Sequence, residues 1–132
     1  MYQVVFLQND GMTRNIKLEN SNTGTIDDCF DDSSLVSDKC FDFMEIGGKY
    51  DCKIKLFGNV VQKKHEKSVL CKVVCRDIMI GSYDMAKIVI KNDEYYILQK
   101  KIENYKNGEF FYFRYSRKDL IQVNEVIHAD FL

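Results

Sequence analysis

Residues 107–118 read NGEFFYFRYSRK, a turn dipeptide followed by five aromatic and three basic side chains. Asn-Gly is favoured in two-residue hairpin turns, and aromatic residues are enriched in strands. Side chains of a strand alternate between its two faces, which here hold Phe111, Phe113 and Tyr115 on one side and Phe110, Tyr112 and Arg114 on the other. One face must be core. The second face is either core as well or a platform on which something flat is stacked.

Alternating patterns and turn signals extend outward from this stretch along the rest of the chain. Strands are predicted at residues 2–7, 13–18, 50–56, 69–75, 86–90, 95–98 and 110–115. Hairpins are predicted around Asn9-Asp10-Gly11 and around Asn92-Asp93. A further strand through Ile102 is expected to form a third hairpin with residues 110–115, across the Asn107-Gly108 turn.

These elements predict a mostly β fold, or an α+β fold with a strand majority, and one or two short helices. Many short strands separated by turns favour a small antiparallel, partly closed barrel. The order of elements across residues 46–98 resembles an OB-type barrel, although an SH3-like barrel or an α+β sandwich predicts much the same pattern. A single domain over residues 1–132 is expected, because the length fits one core and no Pro-rich or Gly/Ser-rich linker occurs.

Two segments carry helix signals. Thr25 with Asp28 three residues later fits a capping box, which predicts a short helix over residues 26–32 that ends at Ser33-Ser34. At the C-terminus, residues 116–119 resemble a second capping box. One helical face would then hold Leu120, Val123, Ile127 and Phe131. The same tail is rich in β-branched residues that alternate, so a strand is the alternative there.

Charge is segregated along the chain. Residues 1–48 hold nine acidic and three basic side chains, net −6, whereas residues 49–132 hold 11 acidic and 16 basic side chains, net +5. The two halves either pair within the fold or present charged surfaces to a partner of opposite sign. The N-terminal residues are interpreted as a strand and not a signal peptide, and no run of 18 apolar residues occurs, so a cytoplasmic protein with no membrane contact is expected.

The five cysteines are an odd number, which favours free thiols in a reducing compartment. Cys52, Cys71 and Cys75 are expected to be buried, because they lie in alternating apolar patterns. The spacing of Cys71 and Cys75 does not suit a structural zinc site, so neither a metal nor a cofactor is predicted. The acidic residues Asp27, Asp28, Asp31 and Asp32 lack the register of a calcium-binding loop and are interpreted as a solvated acidic helix face.

The leading functional hypothesis is a non-catalytic binding module with a protein partner, because no catalytic motif occurs. Two surfaces are candidates for the contact. One is the acidic segment of Asp27, Asp28, Asp31 and Asp32, and the other is the aromatic/basic hairpin with Tyr112, Arg114, Arg117, Lys118 and Lys101. Lysines of the predicted neighbouring strand, Lys100, Lys101 and Lys106, are expected to extend the second surface.

Three alternatives remain open. Single-stranded nucleic acid is the first, since it binds to rings beside Arg and Lys. A small enzyme is the second, with Cys71 or Cys75 as nucleophile and His65 or His128 as base. A homodimer through a free strand edge at residues 2–7 is the third.

Overall fold

The computed structural model describes residues 1–64 and 66–132, which fold mainly into strands. The strands are β1 (Tyr2–Asp10), β2 (Thr13–Asn20), β3 (Ile26–Asp31), β4 (Lys49–Tyr50), β5 (Cys52–Val61), β6 (Val69–Ile80), β7 (Tyr83–Ile90), β8 (Asp93–Leu98), β9 (Phe110–Val123) and β10 (Val126–Ile127). A four-residue helix, α1, spans Ser33–Val36, and short 3-10 helices span Gln99–Ile102 and Ala129–Phe131. The predicted mostly β class is confirmed.

The chain divides into two compact units. The first consists of Met1–Ile54 and Lys118–Leu132, and the second of Lys55–Arg117. The first contains 13 acidic and 6 basic side chains, net −7, and the second contains 7 acidic and 13 basic side chains, net +6. We call them the acidic unit and the basic unit. The expectation of one domain stays a prediction.

The acidic unit is a sheet with strand order β4-β1-β2-β3-β9, and β10 folds back on β9. The β1–β2 hairpin closes across Gly11, which has a positive φ that glycine adopts without strain. Its predicted turn and strands are confirmed. The expected free edge at residues 2–7 is partly covered, because Tyr2 and Gln3 pair with β4 and Val4 bonds to Gly47 and Gly48. A homodimer through this edge stays a prediction.

The basic unit closes a ring of five strands in the order β9-β5-β8-β7-β6-β9. The ring encloses a core that includes Phe113, Cys71, Val73, Ile88 and Ile97, all with no exposed surface. Strands β5 and β8 are parallel neighbours, and the other pairings of known direction in this unit are antiparallel. The prediction of a partly closed barrel is therefore confirmed, whereas the OB-like arrangement stays a prediction.

Gly58 lets strands β5 and β9 approach closely. A Cβ atom there would overlap the carbonyl oxygen of Arg114 and would lie 2.7 Å from the Cα atom of Tyr115. No side chain larger than hydrogen fits without displacing backbone. This contact fixes β5 against β9 and so sets the positions of the side chains on either side of Gly58.

The helix predicted over residues 26–32 is wrong. Ile26–Asp31 is strand β3, which pairs with β2 along its length and runs parallel to β9 at Cys29 and Lys118. The capping signal of Thr25 and Asp28 is local, and pairing with two strands outweighs it. The one α-helix in the described residues begins at Ser33, where the predicted helix was expected to end.

The prediction of a third hairpin across Asn107-Gly108 is also wrong. Gln99–Ile102 forms a 3-10 helix, and β9 pairs with β6 from Val69↔Phe113 to Lys72↔Phe110. The predicted C-terminal helix is replaced by the end of β9 and by β10, as the strand alternative predicted. In both places β9 pairs with a strand distant in sequence, β6 near Phe110 and β3 at Lys118, whereas β10 adds a local pairing.

Candidate functional site

Two of the four acidic candidates are structural. Asp27 and Asp31 are 1% and 2% exposed, because alternate residues of β3 face the core. The Lys118 ammonium lies 2.6 Å from Asp27 Oδ1, and Arg14 Nη2 lies 3.1 Å from Asp31 Oδ2. A buried carboxylate needs such a partner, since desolvation of a lone charge is costly. The interpretation as a solvated helix face is wrong for this pair, and of the four aspartates only Asp28 is exposed.

The Arg14–Asp31 pair also organises the chain that follows β3. Asp31 Oδ1 accepts a hydrogen bond from the backbone N–H of Ser33 at 2.9 Å, and Ser33 Oγ accepts one from the N–H of Phe41 at 3.0 Å. Arg14 Nη2 donates to the carbonyl oxygen of Phe41. Phe41 is fully buried, so this network ties the irregular segment to the core of the acidic unit.

His128, Asp32 and Asp130 form the one cluster among the described residues with the spacing of metal ligands. His128 Nδ1 accepts the backbone N–H of Asp130 at 3.1 Å, so Nε2 carries the proton and donates to Asp32 Oδ1 at 2.6 Å. An imidazole that binds a metal carries its proton on one nitrogen and uses the lone pair of the other nitrogen for the metal. Both nitrogens of His128 form hydrogen bonds within the protein. These bonds attach the C-terminal 3-10 helix to Asp32.

The aromatic strand that follows Asn107-Gly108 has one buried face and one exposed face. Phe111 and Phe113, which the alternation places on one face, are buried inside the basic unit. On the outer face Phe110 is 58% exposed, Arg114 is exposed and Tyr112 is half-buried. The Lys72 ammonium on neighbouring β6 lies 5.7 Å from the centre of the Phe110 ring, which is a cation–π distance.

The remaining basic candidates lie on different elements of the structure and do not form one surface strand. Lys118 belongs to the acidic unit and is only 18% exposed, since it neutralises Asp27. Lys100 and Lys101 both lie on the 3-10 helix Gln99–Ile102. The expectation that they lie on a neighbouring strand is wrong. Lys106 lies outside every strand. Arg117 is exposed and takes part in the ring contact described next.

Phe57 is a surface ring that the sequence interpretation missed. It is 48% exposed, the Arg117 guanidinium lies 4.7 Å from its ring centre, and the Lys55 ammonium lies 5.3 Å from it. The alternation of residues 50–56 could have found it. If Ile54 and Leu56 face the core, Phe57 must face outward.

A groove adjoins Phe57 in the basic unit. It encloses about 160 Å³ and is lined by Lys55, Leu56, Phe57, Gly58, Leu98, Lys100 and Lys101. Lys101 Nζ donates a hydrogen bond to Asn59 Oδ1 at 2.8 Å, which holds this lysine at the groove. Three lysine side chains, an aromatic ring and two leucine side chains therefore line one place on the surface.

The cysteines do not assemble into a catalytic site among the described residues. Burial raises the pKa of Cys71 to about 12, so this thiol is not a nucleophile near neutral pH. The prediction that Cys75 is buried is wrong: the pairing of β6 with β7 shifts register on both sides of it, and it is exposed. His65 lies outside the described residues, and both ring nitrogens of His128 are bonded.

No helix within residues 1–64 and 66–132 is both long and apolar enough to cross a membrane. Comparison of the chain with protein-family models, with curated proteins and with solved structures found no match. The proposal of function therefore depends on the residues of this chain alone.

Proposed function

We propose that this protein is a non-catalytic binding module that binds single-stranded nucleic acid on the outer surface of its basic unit. The observation that carries the proposal is Phe57: a half-exposed ring with a guanidinium and an ammonium against it, next to a groove with two more lysines. An exposed ring can stack on any base, and the adjacent cations are placed for the phosphates on either side.

A second ring with a cation supports the proposal. Phe110 on β9 is more exposed than Phe57 and has Lys72 beside it, with Tyr112 and Arg114 farther along the same face. In the order of the ring, β9 lies between β6 and β5, so both rings belong to adjacent strands of one sheet. The net charge of +6 on the basic unit attracts a polyanion from solution.

An acidic protein partner is the second candidate, because this face also exposes aliphatic residues. Leu70 and Val74 on β6 are nearly half-exposed and flank Lys72. Aliphatic side chains contribute little to base stacking, but they are typical of the centre of a protein interface. The two candidates differ in which residues should matter: Phe57 for nucleic acid, and Leu70 for a protein.

The test measures binding of fluorescein-labelled oligothymidylate and oligouridylate by fluorescence anisotropy, at low and at physiological salt. Phe57→Ala is compared with Phe6→Ala, a matched control in the acidic unit. Phe6 is 43% exposed, and the Lys17 ammonium lies 5.4 Å from its ring centre. We expect Phe57→Ala to weaken binding by about tenfold, the loss of one stacked base, and Phe6→Ala to leave it unchanged.

The outcomes separate the candidates. Salt-sensitive binding that depends on Phe57 and not on Phe6 supports nucleic acid. No binding of either oligonucleotide at low salt, with the protein folded by circular dichroism, refutes the proposal. The protein candidate is then tested by affinity capture with wild type and Leu70→Glu as baits, followed by direct titration of the captured protein.

A further inference from the structure

We infer that the groove beside Phe57 is a phosphate subsite: it holds one phosphate group of the bound strand while the neighbouring base stacks on the Phe57 ring. The inference rests on the proposed function and deepens it, because it assigns a defined nucleotide position to a surface otherwise described only by charge and exposed rings. It names Lys55, Lys100 and Lys101 as the residues that contact this phosphate.

The size of the groove limits what can enter it. Its volume of about 160 Å³ is below the roughly 300–1,000 Å³ of pockets that enclose a whole small-molecule ligand. A phosphate group fits such a space, and the exposed Phe57 ring beside the groove is available to the neighbouring base.

Lysine side chains supply the positive charge that an anion needs at this groove. Three of the seven lining residues are lysines, and none of the residues described as lining the groove is acidic. Lysine binds phosphate as a point charge, so several ammonium groups can converge on one phosphate from different directions. Lys55 approaches from strand β5, and Lys100 and Lys101 approach from the 3-10 helix that follows β8.

Two features hold the subsite in place before any ligand binds. The hydrogen bond from Lys101 Nζ to Asn59 Oδ1 fixes one of the three lysines. The close contact of Gly58 with the backbone of Arg114 and Tyr115 fixes the strand that presents both Lys55 and Phe57. A preorganised pair of ring and cations loses less conformational entropy on binding than flexible side chains do.

The test compares the salt dependence of oligonucleotide binding in two double variants of the full chain. Lys100→Gln with Lys101→Gln removes two charges from the groove. Lys63→Gln with Lys64→Gln removes two charges from an exposed connection in the same unit and is the matched control. Each phosphate contact on a single strand contributes about 0.7 to the slope of log K against log salt.

Because Lys100 and Lys101 serve the same phosphate, we expect the groove variant to reduce the slope by about 0.7, and the control variant to leave it unchanged. We also expect inorganic phosphate, at an ionic strength matched with chloride, to weaken oligonucleotide binding to wild type and not to the groove variant. Equal slopes in both double variants overturn the subsite, as does a loss of about 1.4, which means that the two lysines contact separate phosphates.

Failure of the inference and failure of the proposed function give different results. If Phe57→Ala weakens binding while the groove variant behaves like its control, nucleic-acid binding stands and the subsite does not exist. If wild type binds no oligonucleotide at low salt, both are wrong.

Discussion

The two units of this protein use their charges in opposite ways. In the acidic unit, charged side chains enter the interior as pairs, Asp27 with Lys118 and Asp31 with Arg14. In the basic unit, the cations nearest to aromatic rings lie at the surface, as Arg117 and Lys55 do beside Phe57. Charge that is paired inside the fold specifies structure, whereas charge beside an exposed ring lies where a ligand can reach it.

The two units also differ in the surroundings of one exposed ring each, Phe6 in the acidic unit and Phe57 in the basic unit. Each is nearly half-exposed and has a lysine ammonium between 5 and 6 Å from its centre. They differ in what surrounds them: Phe6 lies in a unit of net charge −7, and Phe57 in a unit of net charge +6 beside a groove with three lysines. An exposed ring alone does not make a nucleic-acid site, because the phosphates must also be neutralised.

The largest expected effect tests whether the aspartates of β3 are structural. Asp31→Ala leaves the buried Arg14 guanidinium with only the exposed Asp42 carboxylate, 3.9 Å from Nε, and we expect it to lower the free energy of unfolding by about 3–5 kcal/mol. Urea denaturation followed by circular dichroism measures this loss. The exposed neighbour Asp28 provides the control, since Asp28→Ala is expected to change stability by less than about 0.5 kcal/mol.

Equal losses in Asp31→Ala and Asp28→Ala would contradict the assignment of a structural pair. The double variant Arg14→Met with Asp31→Leu sharpens the comparison, because it replaces both partners with apolar groups. We expect it to be more stable than Asp31→Ala alone, since no uncompensated buried charge remains.

This buried pair also shows where sequence reasoning stops. Alternation over residues 50–56 and the turn at Asn9-Asp10-Gly11 are local signals, and the strands they predict are present. Asp27 and Asp31 carry no local sign of burial, because the residues that neutralise them are 91 and 17 positions away. A buried aspartate and a surface aspartate look the same until the partner is known.

The candidate site divides in the same way. The placement of Phe111 and Phe113 on one face and of Phe110 on the other follows from the period of a strand, but the period does not say which face is buried. The pairing of β9 with β6 was not predictable, since it joins segments about 40 residues apart and displaces the expected hairpin. The groove likewise requires β5 and the 3-10 helix Gln99–Ile102 to meet, which no sequence period encodes.

The next effect tests the close contact that positions Phe57. Gly58→Ala places a methyl group against the backbone of Arg114 and Tyr115, and we expect a destabilisation of about 1–3 kcal/mol from overpacking. Gly24→Ala is the matched control in the acidic unit, because Gly24 has open space around it and a φ of +77°. Its cost should be about 1 kcal/mol, from the strained backbone alone. A smaller loss for Gly58→Ala than for Gly24→Ala, measured in urea, would mean that the strands are free to separate.

A third effect depends on pH. Burial raises the pKa of Cys71 from 9.0 to about 12, so between pH 9 and 12 the unfolded thiol loses its proton while the folded thiol keeps it. Stability from this group is fully present below pH 9 and falls as pH rises, by up to about 1.4 kcal/mol per pH unit. We expect Cys71→Ala to show a shallower loss of stability than wild type from pH 9 to 11 in urea titrations. Between pH 6 and 8 the two slopes should coincide, and a difference there would assign the effect to another group.

The smallest effect concerns the ring and the guanidinium themselves. A double-mutant cycle of Phe57→Ala and Arg117→Ala isolates their coupling from the other contacts of each side chain. At an exposed site we expect about 0.5–1 kcal/mol for this cation–π contact. The cycle of Phe6→Ala with Lys17→Ala is the counterpart in the acidic unit, where the separation is longer and we expect no more than half as much. If the two coupling energies are equal, stability does not distinguish the rings. Any difference in oligonucleotide binding between Phe57→Ala and Phe6→Ala must then come from the charges around Phe57, which is the role that the comparison of the two units assigns to them.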